Sequence, residues 1–309
     1  MCGIVGYVGG RAALPVLLDC LERVSYRGYD SFGVAVQNGR GLDLFRAVGA
    51  VEEHRGAVPP FAGSLGIGHT RWATVGRVSE ENAHPHPDCH GALAIVHNGD
   101  LDNFSALREA LRAQGHAFRS ETDSEVIAHL VEAALPPAQD GAPGALVGAV
   151  AEATARLEGS YALAVLHRGS GELVVARSGS PLVVGLGQGE AFVASDVPAL
   201  LPYTREVLYL EDGDLATVGR GGVVVWREGR RATRRVHRVS WEARALDRAG
   251  YPHFLLKEVH EQPKALRAAL AGRLAPTLGQ ATLDLPPAPR PTHLLLLGCG
   301  TSYHAALLG

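Results

Sequence analysis

Short apolar runs alternate with amphipathic stretches over roughly the first 220 residues of the chain. Nine runs are mostly bounded by Gly, Asp or Ser, which is typical of β-strands, and four stretches repeat apolar residues at helical spacing. Several strands are apolar on both faces, which favours covered sheets in a layered α+β body. Strands are predicted at residues 3–8, 33–36, 65–70, 92–96, 161–166, 173–176, 182–186, 207–210 and 215–218, and helices at residues 14–24, 104–113, 123–134 and 145–157.

The pattern changes after about residue 240. A polar, helix-favouring stretch covers residues 254–270, and a Pro-rich spacer follows at residues 285–291. Behind the spacer, the apolar run 294–297 opens into a Gly-Cys-Gly turn and a helix start, which is the pattern of one β-turn-α unit of a parallel sheet. One such unit cannot bury both of its faces, so we expect the chain to stop just inside a second domain.

The composition of the chain argues against several classes of protein. The 309 residues are 46% hydrophobic and carry a formal net charge of −3, which provides no broad basic field for nucleic acid. No apolar run is long enough to cross a membrane, and the four cysteines lack the spacing of a disulfide framework or a zinc knuckle. We therefore expect a cytoplasmic protein without a nucleic-acid partner or a membrane partner.

Cys2 is the first candidate for chemistry. A small residue in second place permits removal of Met1, which would give Cys2 a free α-amine beside its thiol. An α-amine titrates at about pH 8, so it can serve as general base to the thiol of the same residue. The alternative is a cysteine at an arbitrary position, and position alone favours this alternative.

Six short strings stand out along the chain: Cys-Gly-Ile-Val-Gly at 2–6, Tyr-Arg-Gly-Tyr-Asp-Ser at 26–31, Gly-His-Thr-Arg-Trp-Ala-Thr at 68–74, Asn-Ala-His-Pro-His at 82–86, His-Asn-Gly at 97–99 and Glu-Thr-Asp-Ser-Glu at 121–125. They occur in the order and spacing of the class II glutamine amidotransferases, and the chain resembles that family of N-terminal-nucleophile hydrolases. The similarity continues through residues 176–181, 194–196 and 257–263 to 298–303, and so covers essentially the whole chain. The resemblance implies a four-layer αββα sandwich within the α+β class.

The resemblance also implies a domain organisation. A glutaminase domain would cover residues 2–220, its end and a linker would cover 221–292, and residues 293–309 would be the truncated start of a sugar-isomerase domain. The chain would hydrolyse L-glutamine to glutamate and ammonia through a Cys2 thioester, without a cofactor. Fructose 6-phosphate would accept the ammonia only if the missing isomerase domain were supplied, and the full-length enzyme would be a homodimer.

Asn98 and Gly99 resemble the family's oxyanion donors. Amide hydrolysis passes through a tetrahedral oxyanion, which an amide side chain and a backbone N–H can stabilise. Without the family, the His-Asn-Gly string is simply a turn after the strand at 92–96.

Arg71 and Asp123 resemble the two residues that bind the ends of glutamine. A guanidinium matches the α-carboxylate in two parallel hydrogen bonds, and a carboxylate can pair with the α-ammonium. Otherwise Arg71 is a charge at a strand end, and Asp123 is a carboxylate favoured by a helix N-terminus. Thr122 and Glu125 predict a capping box, which would leave Asp123 free for another partner.

The remaining roles also come from the resemblance. Trp72 would lie in a loop that closes over glutamine, Thr74 would add a hydroxyl to the carboxylate end, and Arg27 would support the thiol. Thr301 and Ser302 would form part of a sugar-phosphate cradle at a helix N-terminus.

Two further features bear on metal binding and affinity. His84 and His86 have no carboxylate or cysteine at ligand spacing, so we expect them to be structural and expect no metal. Where the family usually has His after the Arg-Trp-Ala-Thr string, this chain has Val75. We expect a higher KM for glutamine with intact chemistry.

Three alternatives stay open. The chain could be the glutaminase half of a different amidotransferase, although the Arg-Trp-Ala-Thr string and the sugar-isomerase-like start argue against it. It could be a non-catalytic remnant or a glutamine-binding module of a truncated gene, which retention of every catalytic residue type disfavours. It could also be an N-terminal-nucleophile amidase for another substrate, which Arg71 and Asp123 disfavour.

Overall fold

The computed structural model describes residues 2–135, 142, 144–240, 250–275, 280–281, 292–293, 295–298 and 300–308. Contacts within the chain divide it into two compact units, Met1–Ala249 and Gly250–Gly309.

The first sheet of the larger unit has eight strands, all paired antiparallel, and its N-terminal strand lies inside the sheet. From one edge to the other the strands are β15 (Val236–Arg238), β11 (Glu206–Tyr209), β9 (Val183–Leu186), β10 (Ala191–Ala194), β1 (Gly3–Val8), β4 (Leu65–Arg71), β2 (Ser31–Asn38) and β3 (Gly41–Val48).

The second sheet has seven strands, also paired antiparallel. In spatial order they are β14 (Arg230–Ala232), β13 (Gly222–Arg227), β12 (Asp214–Gly219), β8 (Leu173–Ser178), β7 (Gly159–His167), β6 (Leu93–Leu101) and β5 (His86–Pro87).

Helices cover the outer faces of the two sheets, and three apolar cores separate the layers. Helix α1 (Ala13–Val24) packs on the first sheet, and α2 (Val51–His54) contributes to the same core. The helices α3 (Phe104–Ala113), α4 (Glu125–Ala134) and α5 (Ala145–Thr154) pack on the second sheet. The central core joins the two sheets, so the predicted four-layer αββα arrangement is confirmed.

Strand β1 explains why several runs are apolar on both faces. Successive side chains of a strand point to opposite faces, so Ile4 and Val8 enter the core between the sheets, while Val5 and Tyr7 face the core beneath α1. All six residues of β1 are buried. A strand covered on both sides cannot show polar alternation.

The predicted strands and the four predicted helices of this unit all occur; β1 and α3 have the predicted ends, and the ends of the others are shifted. Several further strands were not predicted, among them β3, whose residues are mostly half-buried at the sheet edge. The turn interpretation of residues 97–99 is wrong, because β6 continues through them to Leu101. Gly99 lies within that strand at φ +131°.

The predicted capping box at the start of α4 is also wrong. The Glu125 carboxylate accepts the backbone N–H groups of Arg119 (2.8 Å) and Ser120 (2.7 Å) and the Ser120 hydroxyl (2.7 Å). The hydroxyl of Thr122 instead lies 3.1 Å from His86 Nε2. The segment before α4 therefore folds back over the carboxylate, an arrangement that residue spacing alone does not reveal.

The smaller unit contains the predicted helix as α6 (Phe254–Leu270), a short pair of strands, β16 (Leu274–Ala275) with β17 (Gln280–Ala281), and helix α7 (Gly300–Leu308). Residues 295–298 form no strand, so the strand predicted at 294–297 does not occur in its described part. Residue 294 and the Pro-rich spacer at 285–291 lie outside the described residues. Within the described parts of the chain, no helix has the length and apolarity needed to cross a membrane.

Glu125 gives the fold a specific acid sensitivity. Burial opposes ionisation of this carboxyl, but its interactions with His129, Arg119 and Ser120 outweigh burial and lower its pKa to about 2 from 4.5. A lowered folded-state pKa stabilises the fold above pH 4.5, and this contribution is lost as the pH falls from 4.5 towards 2.

We therefore expect Glu125→Gln to lower the free energy of unfolding by about 2 kcal/mol at neutral pH and to flatten its decline below pH 4.5. Urea unfolding at several pH values measures both effects. The exposed Glu109 of α3, changed to Gln, is the matched control and should leave the pH profile unchanged. Parallel profiles for Glu125→Gln and the unaltered chain would contradict the assignment.

Candidate active site around Cys2

Strand pairing fixes the position of Cys2. Strand β1 pairs with β4 through Gly3 opposite Thr70, and with β10 through Val5 opposite Ala194. Cys2 therefore lies just before a strand that is held on both sides. Its Sγ is 3.2 Å from the backbone N of Trp72 and 3.4 Å from the backbone O of Trp72. The thiol thus faces the chain where it leaves β4.

The thiol of Cys2 is held in its neutral form. Burial raises the pKa of the thiol above its ordinary value of 9.0, and the N–H of Trp72 and the charges of Arg71 and Arg27 offset burial only in part. A thiol of this kind needs a base before it can act as a nucleophile.

A buried hydrogen-bond network joins Asn98 to Cys2 across the two sheets. Asn98 Nδ2 donates to the Cys2 carbonyl (3.0 Å) and to Ser195 Oγ (2.8 Å), and Ser195 Oγ also accepts the N–H of Ile4 (2.7 Å). His69 Nε2 lies 2.9 Å from Asn98 Oδ1. Burial lowers the pKa of His69 to about 3, so this imidazole is neutral and can donate to Oδ1. That bond orients the amide with its N–H groups towards Cys2.

Gly99 follows Asn98 in β6 and cannot carry a side chain. At φ +131° a Cβ atom would lie 2.0 Å from the backbone O of Ser160 on the neighbouring strand. Glycine is therefore required for the close pairing of β6 with β7 at this position.

Arg27 contacts the main chain of Cys2 rather than its thiol. Its Nε donates to the Cys2 carbonyl at 2.9 Å, and its Nη1 lies 3.4 Å from the Asp196 carboxylate. The Tyr26 hydroxyl donates to the same carboxylate at 2.6 Å. The carbonyl of Cys2 is thus held by Arg27 and Asn98 from two directions.

Arg71 is buried, with 3% of its surface exposed, and its guanidinium is directed at backbone carbonyls. It donates to the carbonyls of Val75, Gly76 (3.2 Å) and Arg77 (3.1 Å). Burial lowers its pKa, and the negative charge of nearby acidic groups opposes that effect. Arg71 therefore holds the turn at residues 75–77.

Asp30 anchors the other end of this loop. Its carboxylate accepts the N–H of Ala73 at 2.9 Å, and its own N–H donates to the Arg71 carbonyl at 3.0 Å. The Trp72 ring is 45% exposed and meets Tyr29 edge-on at 5.9 Å between ring centroids. Hydrogen bonds therefore hold the start of the loop in place, and the aromatic side chain of Trp72 is partly exposed.

Thr74 and Asp123 flank the end of β6. Thr74 Oγ1 lies 3.4 Å from the Asp100 carboxylate, and Asp123 Oδ2 accepts the N–H of Leu101 at 3.1 Å. Asp123 is buried. The structure therefore brings Cys2, Asn98 and Gly99 together with the loop of Arg71, Trp72 and Thr74, and sets Asp123 against the same strand.

The histidines of the site region form a buried stack. The ring centroids of His69 and His84 are 4.1 Å apart, and those of His84 and His86 are 4.4 Å apart. Burial lowers the pKa of all three, to about 3 for His69 and His86. His84 and His86 belong to no group of metal-binding side chains within the described residues. They pack behind Asn98 as neutral rings.

Sequence reasoning assigned no role to several residues that the structure brings to Cys2. Their positions in the strings shared with the family could have pointed to them. Ser195 and Asp196 lie in the string at 194–196, His69 lies in the string at 68–74, and Asp30 lies in the string at 26–31. Thr301 and Ser302 belong to the first turn of α7 in the smaller unit, and their side chains lie outside the described part of the chain.

The sequence of the chain is similar to those of known glutamine-dependent proteins. The glutamine amidotransferase domain family matches residues 69–202. The glutamine–fructose-6-phosphate aminotransferase (isomerizing) of Thermus thermophilus is 49% identical, over 100% of this chain and 51% of the relative. The protein of the same name from Methanosarcina mazei is 44% identical, over 100% of this chain and 52% of the relative. The chain spans about half the length of the curated relatives it matches.

Solved structures share the fold. The glutamine phosphoribosylpyrophosphate amidotransferase of B. subtilis, in complex with ADP and GMP, superposes with a TM-score of 0.61 at 27% identity, over 73% of this chain and 49% of that chain. A structure described as the allosteric regulatory enzyme of purine biosynthesis gives a TM-score of 0.62 at the same identity and coverage.

Ser195→Ala tests the network beside Cys2. The change leaves the buried N–H of Ile4 without its acceptor, so we expect a loss of about 2 kcal/mol in the free energy of unfolding, measured with urea. Ser31 is the matched control, because it is fully buried and its hydroxyl has no hydrogen-bond partner in the described chain. Ser31→Ala should be nearly neutral, and an equal loss in both variants would count against the Ser195 assignment.

Proposed function

We propose that this chain is a glutamine amidotransferase that hydrolyses the side-chain amide of glutamine to glutamate and ammonia, with Cys2 as the nucleophile. The observation that carries this proposal is the position of Asn98 relative to Cys2. Asn98 comes from the other sheet, and its side-chain Nδ2 donates to the backbone carbonyl of Cys2 at 3.0 Å, beside the thiol.

The first step needs a base for the Cys2 thiol. Burial raises the pKa of this thiol, so it is protonated at neutral pH. Removal of Met1 would give Cys2 a free α-amine with a pKa of about 8, which can take the thiol proton. Nucleophile and base would then belong to one residue, and no other residue would have to supply a base for attack.

The thiolate would attack the amide carbon of glutamine and produce a tetrahedral oxyanion. Asn98 Nδ2 and the N–H of Gly99 are the donors that we assign to this charge. The bond of His69 to Asn98 Oδ1 supports the assignment, because it keeps the N–H groups of the amide on the side of Cys2. The substrate oxygen would compete with Ser195 Oγ and the Cys2 carbonyl for these N–H groups.

Collapse of the oxyanion would break the carbon–nitrogen bond. The protonated α-amine gives its proton to the leaving nitrogen, so ammonia departs and a γ-glutamyl thioester remains on Cys2. Water then attacks the thioester, glutamate leaves, and the sulfur regains its proton. The overall change is one glutamine and one water to one glutamate and one ammonia.

Glutamine recognition is assigned to the loop after β4 and to Asp123. The guanidinium of Arg71 would bind the α-carboxylate, and at least one of its bonds to the carbonyls of residues 75–77 would have to be exchanged for the substrate. The buried carboxylate of Asp123 would pair with the α-ammonium, with Thr74 and the exposed Trp72 completing the pocket.

The acceptor of the ammonia is a further proposal. We infer that the chain supplies ammonia for the amination of fructose 6-phosphate within a longer protein, because the relatives named for that reaction match all of this chain at 44% to 49% identity. The sugar-phosphate role of Thr301 and Ser302 belongs to this proposal. That the longer protein is a cytoplasmic homodimer stays a prediction from the resemblance.

Affinity labelling tests the nucleophile. We expect 6-diazo-5-oxo-norleucine, an electrophilic glutamine analogue, to modify Cys2 after loss of Met1, and L-glutamine to slow the reaction. Cys2→Ser should abolish the adduct and lower ammonia release by at least about 1,000-fold. Mass spectrometry of the N-terminal peptide is the measurement. A folded, ammonia-releasing protein that retains Met1, or that is labelled elsewhere, would refute the mechanism.

Val75 provides a test of substrate affinity. Its carbonyl is used by Arg71, but its side chain adds no polar group to the loop. We expect Val75→His to lower the KM for glutamine several-fold and to leave kcat within about twofold, because the added imidazole contributes to binding and not to chemistry. Steady-state glutaminase kinetics give both values, and an unchanged KM would reject this interpretation.

A further inference from the structure

A second cluster of reactive side chains lies on the outer side of the second sheet. It consists of Cys89, His116, His129 and Glu132, and its candidate ligand atoms all lie within 4.8 Å of one another. Within the described residues this is the one such group of His, Cys, Asp and Glu side chains. None of its members takes part in the proposed glutamine chemistry.

Four chemically different atoms converge at this cluster. Cys89 Sγ lies 3.7 Å from His116 Nδ1 and 3.5 Å from His129 Nδ1. Glu132 Oε2 lies 2.8 Å and 3.0 Å from the same two nitrogens. Each imidazole therefore directs the same ring nitrogen towards a shared centre with one thiol and one carboxylate.

The sulfur–nitrogen distances are those of a tetrahedral zinc site. Bonds of about 2.3 Å from zinc to sulfur and about 2.1 Å to nitrogen place the two ligand atoms about 3.6 Å apart in a tetrahedron. The carboxylate oxygen is closer to the nitrogens than such a tetrahedron requires, and lies at hydrogen-bond distance. A small outward movement of this side chain would complete the coordination.

The surroundings match those of a metal ligand set. The backbone N–H of Ala117 donates to Cys89 Sγ at 3.4 Å, which stabilises a thiolate. Glu125 Oε1 lies 3.7 Å from His129 Nε2, so a carboxylate stands on the far side of this imidazole from the shared centre, where outer carboxylates of metal-bound histidines are commonly found. One thiolate and one carboxylate neutralise the charge of a divalent cation.

Solvent access to the cluster and the burial of its side chains also fit a metal site. A cavity of about 320 Å³ is lined in part by His90, His116 and Glu132 and offers a path from solvent. His129 is 1% exposed, and Glu132 is 12% exposed. Two of the ligands lie three residues apart on α4, which places them on one face of the helix.

We propose that Cys89, His116, His129 and Glu132 form a closed structural site for one Zn²⁺ ion. Four protein ligands leave no open position for catalysis, so the ion would act on stability. It would tie the segment between β5 and β6 and the segment after α3 to helix α4. The ion would be bound by the thiolate of Cys89 and by neutral imidazoles, so protons that these groups carry would be released to solvent on binding.

Cobalt titration of the whole, metal-free chain tests the site directly. Under anaerobic conditions we expect one Co²⁺ per chain, with the intense visible bands of tetrahedral cobalt and a thiolate-to-cobalt charge-transfer band, and displacement by Zn²⁺. Cys89→Ser should remove the charge-transfer band and weaken binding by at least about 100-fold, since even outer partners of metal ligands contribute 10- to 100-fold. The absence of a stoichiometric thiolate-bound cobalt spectrum would overturn the proposal.

Two control variants test which cysteine supplies the metal-bound sulfur. Cys20 is buried elsewhere in the first unit, and Cys20→Ser should leave the cobalt spectrum unchanged. Cys2→Ser should also retain it, which separates this site from the N-terminal thiol. Survival of the charge-transfer band in Cys89→Ser, or its loss in Cys2→Ser, would reject the assigned ligands.

Thermal unfolding keeps the proposal testable if Cys89→Ser does not fold. Zn²⁺ should raise the Tm of the unaltered chain relative to EDTA, because a ligand that binds only the folded state stabilises it. His116 is only partly buried, so His116→Ala should fold and should lose most of this zinc-dependent shift. An equal shift in both proteins would contradict zinc binding at this cluster.

Discussion

The pairing of β1 with a strand on each side is the constraint on which the candidate site depends. Strand β4 pairs with all six residues of β1, β10 pairs with residues 5–8, and both faces of β1 are covered by apolar cores. Cys2 precedes this strand directly, and its carbonyl accepts hydrogen bonds from Arg27 and Asn98. The central core then sets β6 against this sheet, which brings Asn98 to Cys2 although the two residues are 96 positions apart.

A hydrogen bond between two neutral side chains orients the amide of Asn98 beside Cys2. Burial lowers the pKa of each imidazole in the histidine stack, so His69 orients Asn98 as a neutral hydrogen-bond donor. The two arginines nearby donate chiefly to main-chain carbonyls, Arg27 to Cys2 and Arg71 to the turn at 75–77. These hydrogen bonds hold in place the main chain that surrounds the site. Glu125 links this region to α4, since it holds the segment that precedes Asp123 and also faces His129.

The differences between sequence expectation and structure have physical causes. The fully covered strands β1 and β4 were predicted closely, because burial on both faces leaves a continuous apolar run. The edge strand β3 carries Asp43 and Arg46 on half-buried positions, so its apolar signal is weak. The capping box at Thr122 was wrong because Glu125 found three donors in residues 119–120, and only the folded path of that segment brings them within reach.

Apolar periodicity was enough to predict a layered α+β body, because this signal lies in neighbouring residues, and the resemblance to the class II glutamine amidotransferases implied the four-layer αββα arrangement. The same resemblance, carried by short strings, singled out Cys2, Asn98, Gly99, Arg71 and Asp123. What each of these side chains contacts depends on the tertiary packing. It brought Ser195 and His69 to Asn98, turned Arg71 towards its own loop, and gathered Cys89, His116, His129 and Glu132 from three segments. Contacts of this kind depend on how sheets and helices pack over long chain separations, and no local pattern in the chain records that packing.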